Sequence, residues 1–157
     1  MGDSHVKRLY GHRRTCSRLN KISVDWRGRG GAGIRFVEEN IEQTSKANMV
    51  TLMTGGNDID NGMPVLKLAD RLEKVAKAIL REGPEVVGIA SIWPKQDTRF
   101  NKKIKELEEI MYEKLYDNPQ ITYWRWDRRQ PWRTVDRVHL TYHGYAKAIK
   151  YLMFMIL

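Results

Sequence analysis

Apolar residues along the chain fall into short runs separated by longer periodic stretches. Asn48 to Met53 (NMVTLM) is a short apolar run, the pattern of a strand buried on both faces of a parallel sheet. Glu85 to Trp93 (EVVGIASIW), closed by Pro94, repeats that pattern. Ile22-Ser23-Val24-Asp25-Trp26 and Ile121-Thr122-Tyr123-Trp124-Arg125-Trp126 alternate apolar and polar, which predicts two further strands. Between these runs the apolar spacing is helical. After Pro64, the positions Val65, Leu66, Leu68, Ala69, Leu72, Val75, Ala76, Ile79 and Leu80 predict a helix that ends near Gly83-Pro84. Ile104, Leu107, Ile110, Met111 and Leu115 predict a second, stopped before Asn118-Pro119. Tyr142 to Leu157 predicts a last one, with Ala146, Ile149, Leu152 and Met153 on one face. Residues 5–18 read as a short basic amphipathic helix on Val6, Leu9 and Tyr10, which Gly11 interrupts, and residues 34–41 as another short helix.

Strands alternating with helices imply βαβ units, hence an α/β fold with a parallel sheet and helices on both faces. Ligands bind such sheets at the carboxyl ends of the strands. Three polar or glycine-rich segments follow predicted strands: Gly28-Arg29-Gly30-Gly31-Ala32-Gly33, Thr54-Gly55-Gly56-Asn57-Asp58, and the loop carrying Asp136 and His139. They are therefore expected along one edge of the sheet.

At 157 residues, 41% hydrophobic and 30% charged, the chain reads as one globular domain spanning 1–157. Its longest apolar stretch, Tyr151 to Leu157, is too short to span a membrane. No apolar stretch follows the charged residues of the N-terminus, so no signal peptide is read there. The single cysteine, Cys16, excludes an internal disulfide and reads as a structural thiol. Together these features predict an intracellular protein. The net charge of +9 is uneven. Residues 1–35 hold nine Lys/Arg and two acids, a net +7, which makes contact with nucleic acid, an anionic membrane surface or an acidic partner an expectation for this third of the chain.

The candidate chemistry begins at Met1-Gly2-Asp3-Ser4-His5, where a serine sits in a Gly-Asp turn before a helical run. A serine hydroxyl becomes a nucleophile when a base takes its proton, and a histidine oriented by a carboxylate is such a base. Asp136 and His139 lie three positions apart, so the carboxylate can hold one imidazole nitrogen while the other faces Ser4. Asp136 as a capping residue and His139 as a packed one is the alternative reading. Acyl transfer also needs donors for the oxyanion. Gly31 can bring its backbone N–H close to a substrate, Asn57 offers an amide, and Ser4 its own N–H. Neither the G-x-x-x-x-G-K-[ST] phosphate loop nor the G-x-S-x-G elbow is present. His5 and His143 lack metal-ligand spacing, so no metal is expected. Trp124, Trp126 and Trp132 read as strand packing or as walls of an acyl pocket. Trp132, on the loop before Asp136, is the candidate substrate contact.

Four blocks, in order, resemble those of the SGNH (GDSL-type) hydrolases. They are Gly2-Asp3-Ser4, a glycine of Gly30-Gly31, Gly55-Gly56-Asn57-Asp58, and Asp136-Arg137-Val138-His139-Leu140. The resemblance spans nearly the whole chain. It implies a flavodoxin-like α/β/α sandwich and hydrolysis of a small, acetyl or lipid ester through an acyl-enzyme, without metal or cofactor. It implies Ser4 as nucleophile, His139 as base and Asp136 as its orienting partner. Ser4, Gly31 and Asn57 would supply the oxyanion hole, with Gly28 and Gly30 as alternatives to Gly31. Trp26 to Gly31, Trp93-Pro94 and Phe100-Asn101 look most like the SGNH-like domains of animal retroelement-derived proteins. A binding module that uses the basic surface in place of strong catalysis is the alternative function. In the family an apolar strand precedes the first block, whereas only Met1 does so here. A truncated first strand is therefore expected. Leu152 to Leu157 is a candidate to fill the slot, unless it extends the last helix.

Overall fold

A computed structural model describes residues 1–17, 22–126 and 139–156. Three parallel strands, β1 (Met49–Leu52), β2 (Val86–Ala90) and β3 (Ile121–Trp124), pair side by side in that order. The register sets Val50 opposite Val87, Leu52 opposite Ile89 and Ile89 opposite Tyr123. These side chains share one face of the sheet. There they pack with α2 (Ile34–Glu38), α4 (Val65–Glu82) and α5 (Thr98–Leu115) in one core. Met53, Ala90 and Trp124 belong to a second core, shared with α1 (Ser4–His12) and α6 (Tyr142–Ile156). Helices therefore cover both faces, as the α/β reading expects, in the three-layer α/β/α arrangement of flavodoxin-like folds.

Sequence punctuation sets the long helices. Pro64 precedes the first residue of α4, and Gly83, with φ +137°, follows its last. The expected stretch 64–83 is thus realised almost residue for residue. The Asp97 side chain caps α5 by accepting from the Arg99 and Phe100 N–H groups at 2.8 and 3.0 Å, which starts that helix earlier than its apolar spacing indicated.

Two expectations are corrected. Residues 22–26 form no strand; among the described residues the sheet on that side has a parallel bridge between Gly28 and Gly2. A Cβ on Gly28 would stand 2.5 Å from the Lys7 backbone nitrogen, so only glycine lets the chain pass so close to α1. The helix at the N-terminus runs through Gly11 to His12, because Val6 and Leu9 are buried and their packing outweighs the roughly 1 kcal/mol helix cost of a glycine. Residues 152–156 extend α6, as the helical reading of that stretch expects, so the first-strand slot is filled otherwise. That slot, between Gly28 and β1, holds residues 1–3. The Gly2 N–H donates to Arg27 O at 2.9 Å and the Arg29 N–H to Gly2 O at 3.1 Å. On the other side the Met53 N–H donates to Met1 O at 2.9 Å and the Asp3 N–H to Met53 O at 3.1 Å. The chain leaves Gly2 toward Gly28 on one side and pairs with Met53 on the other. This is the point where strand order reverses, and it is where open α/β sheets bind ligands. Among the described residues no helix is long and apolar enough to cross a membrane.

Candidate active site

Ser4 is the first residue of α1, directly after the slot at which strand order reverses. Asp3 caps that helix, accepting the His5 N–H on Oδ1 at 2.8 Å, and this fixes the turn that presents the serine. Asp3 is 7% exposed, and burial raises its carboxyl to a pKa of about 6 against the opposing pull of the His5 N–H.

His139 arrives from the far end of the chain. Leu140, its neighbour, is buried in the second core. Thr141 then starts α6: its carbonyl accepts the Tyr145 N–H at 3.0 Å and its Oγ1 the Gly144 N–H at 3.2 Å. With Leu140 and Thr141 fixed, His139 Nε2 lies 3.1 Å from Ser4 Oγ, a hydrogen bond across 135 positions. Of the expected catalytic residues, Ser4 and His139 are thus brought together. Asp136 and Trp132 lie outside the described residues.

The donors expected for an oxyanion are placed unequally. Asn57 lies in α3 (Gly56–Asp60) and lines the same cleft as Ser4. The segment 54–58, expected as a turn, instead enters this helix through Gly55, whose φ of +111° favours glycine. Asn57 Nδ2 donates to Ala32 O at 2.8 Å, which ties the glycine loop to α3. A primary amide carries two N–H bonds, and the second is unengaged among the described residues. Gly31, at φ +72°, is exposed in the adjoining turn and does not line the cleft around Ser4. Gly30 is exposed in that same turn. The Asp58 carboxylate joins the second and third blocks, because its Oδ2 accepts the Ile34 N–H at 2.9 Å.

The remaining walls come together from distant parts of the chain. His5 Nδ1 lies 3.0 Å from Tyr145 OH, and its ring centroid is 4.7 Å from that of Trp93 and 5.5 Å from that of His139. Trp93 stacks on Trp126 at 4.2 Å. Opposite them, Lys95 pairs with Asp60 and sits 4.1 Å above the Phe100 ring. Asn101 clamps the Lys95 backbone, accepting its N–H at 2.9 Å and donating to its carbonyl at 2.7 Å. Ser4, His5, Asn57, Trp93, Lys95 and Phe100 line one cleft of about 40 Å³. Among the described residues no three His, Cys, Asp or Glu side chains gather where they would hold a metal ion.

No protein-family model matches the sequence, and no curated protein matches it. Solved structures do. A member of the lipolytic G-D-S-L family from Veillonella parvula superposes with a TM-score of 0.76 at 19% identity, covering 97% of this chain and 93% of its own. A putative lipolytic G-D-S-L protein from Desulfitobacterium hafniense gives 0.76 at 15% identity, with 97% and 94% covered. A carbohydrate esterase of family 3 from Talaromyces cellulolyticus gives 0.70 at 16% identity, with 99% and 95% covered. The chain has the fold of the SGNH, or GDSL-type, hydrolases over nearly its whole length.

Proposed function

We propose that the protein is a serine ester hydrolase that works through an acyl-enzyme. The observation that carries this reading is the 3.1 Å contact between Ser4 Oγ and His139 Nε2, at the switch point of a fold shared with esterases. Ser4 Oγ attacks the ester carbonyl while His139 Nε2 takes its proton. The tetrahedral oxyanion is held by the Ser4 N–H at the first turn of α1 and by the second N–H of the Asn57 amide. Collapse breaks the ester C–O bond, and His139 returns its proton to the departing alkoxide. Water, deprotonated by the same imidazole, then attacks the acyl-serine and releases the acid. Asp136 holds the other imidazole nitrogen in this scheme.

The substrate is an ester with a short acyl group, acetyl being the best fit. The cleft among the described residues is small, about 40 Å³, which favours a two-carbon acyl group over a long chain. The test is hydrolysis of p-nitrophenyl acetate together with labelling by a fluorophosphonate probe. Wild-type protein is expected to do both, Ser4→Ala to do neither, and both variants to keep the wild-type circular dichroism when His139→Gln is added to the series. Labelling that persists in Ser4→Ala would refute the assignment.

A further inference from the structure

The two helices that carry Ser4 and follow His139 form one outer layer, and its charge is unlike the rest of the molecule. α1 with its following turn, Ser4–Thr15, contributes Lys7, Arg8, Arg13 and Arg14; α6 contributes Lys147 and Lys150. Neither segment contains an aspartate or glutamate. Five of the six cations are exposed and Arg13 is half-buried. None of the six forms an ion pair among the described residues. The opposite layer is built differently. α4 and α5 together hold ten basic and seven acidic residues, laced by pairs such as Lys77–Glu73 at 2.6 Å and Lys114–Asp70 at 2.8 Å. Six cations with no acidic residue among them, against ten interleaved with seven acids on the other layer, make a field on this side that favours a polyanion.

Exposed aromatic rings stand among these cations. Tyr10 is 47% exposed, with the Arg13 guanidinium 3.9 Å from its ring centre. Tyr142 is 61% exposed and meets the edge of His12 at 4.6 Å, across the α1–α6 seam. Rings set among cations can take stacked bases while the cations follow a phosphate backbone. Over residues 4–12 and 142–152 there is no exposed Leu, Ile, Phe or Trp, the anchors that a membrane-inserting face needs. Phosphates and bases fit the cations and rings of this stretch better than a lipid surface does.

We propose that the outer face of α1 and α6 binds single-stranded nucleic acid, with Lys7, Arg8, Arg14, Lys147 and Lys150 on phosphates and Tyr10 and Tyr142 stacking on bases. Duplexes are bound less well, because their bases are already stacked on one another. The face is separate from the cleft, so binding does not depend on hydrolysis.

The experiment is fluorescence anisotropy of the full chain with a labelled oligo(U) of about 20 nucleotides, a length that spans more than one typical single-strand site. Affinity is expected to fall with salt at a log–log slope on the order of −3.5, from five phosphate contacts at about 0.7 each. The double variant Lys147→Glu/Lys150→Glu is expected to weaken binding at least tenfold. Lys102→Glu/Lys105→Glu on α5 changes net charge equally and is expected to leave affinity within twofold. Tyr10→Ala/Tyr142→Ala should weaken oligo(U) severalfold and leave heparin, a polyanion without bases, unaffected. Ser4→Ala should bind as wild type does. Equal loss from the α5 and α6 pairs overturns the proposal. So does the absence of oligo(U) binding at low salt, or binding to phosphatidylserine vesicles that oligo(U) cannot displace.

Discussion

The Asp58 carboxylate occupies the space where a side chain on Gly33 would stand: a Cβ there would lie 2.5 Å from Asp58 Oδ1. The same carboxylate accepts the Ile34 N–H, so it fixes the start of α2 and the distance between the glycine loop and α3. Gly33→Ala is expected to push Asp58 aside and strip Ile34 of its partner. An unsatisfied buried N–H costs about 1–3 kcal/mol, and the variant should lose stability of that order in urea unfolding. It should also hydrolyse p-nitrophenyl acetate more slowly, because Asn57 is the neighbour of Asp58. Unchanged stability would mean that the loop has room the structure does not show.

Asn57 has two tasks that separate experimentally. One amide N–H is committed to Ala32 O, and the other is available to the oxyanion. Asn57→Ala is expected to lower kcat about 10²–10³-fold with KM little changed, the usual effect of deleting one oxyanion donor. If the amide were only a loop tie, the variant would lower thermal stability and leave kcat within a fewfold of wild type. Comparing the two readouts decides between these roles.

On the α1–α6 side of the sheet, Trp124 lies across Gly88 so closely that a Cβ would meet its ring atoms at 2.5 and 2.6 Å. This ring belongs to the second core, on which both α1 and α6 rest. Gly88→Ala overpacks that layer and is expected to cost about 1–3 kcal/mol. Because Trp124 must move, the tryptophan emission maximum should shift in the folded variant. An unaltered spectrum and an unaltered unfolding midpoint would contradict the packing.

The parts of this molecule that were legible in sequence are those fixed by local pattern. Pro64 and Gly83 bound α4, and the apolar runs at Asn48 and Glu85 are strands β1 and β2. Ser4 and His139 were legible because a reactive serine and a histidine each stand beside their own turn or helix start. Ile22 to Trp26 misled because alternation alone does not make a strand: Ser23, Val24 and Asp25 are all exposed, and the pairing falls to Gly28, where the fit against α1 admits nothing larger. The contacts that close the cleft walls were not legible in local pattern. His5 meets Tyr145 across 140 positions, and Lys95 meets Asp60 across 35, with no periodicity to announce either contact.

Asp3 carries a pH dependence whose sign follows from its burial. Its carboxyl titrates near 6 in the folded protein against 3.8 as the ordinary value, so the folded state binds this proton more tightly than the unfolded state does. The stability contribution is therefore complete below pH 3.8 and is lost as pH rises through about 6. At 1.36 kcal/mol per pKa unit the change is about 3 kcal/mol. Asn at this position still offers a side-chain oxygen to the His5 N–H, so the helix cap survives while the titration is removed. Asp3→Asn is accordingly expected to match wild type near pH 4 and to exceed it progressively up to pH 7, measured by urea unfolding at a series of pH values. A difference between the two proteins that stays constant from pH 4 to pH 7 would show that the Asp3 carboxyl titrates at its ordinary value.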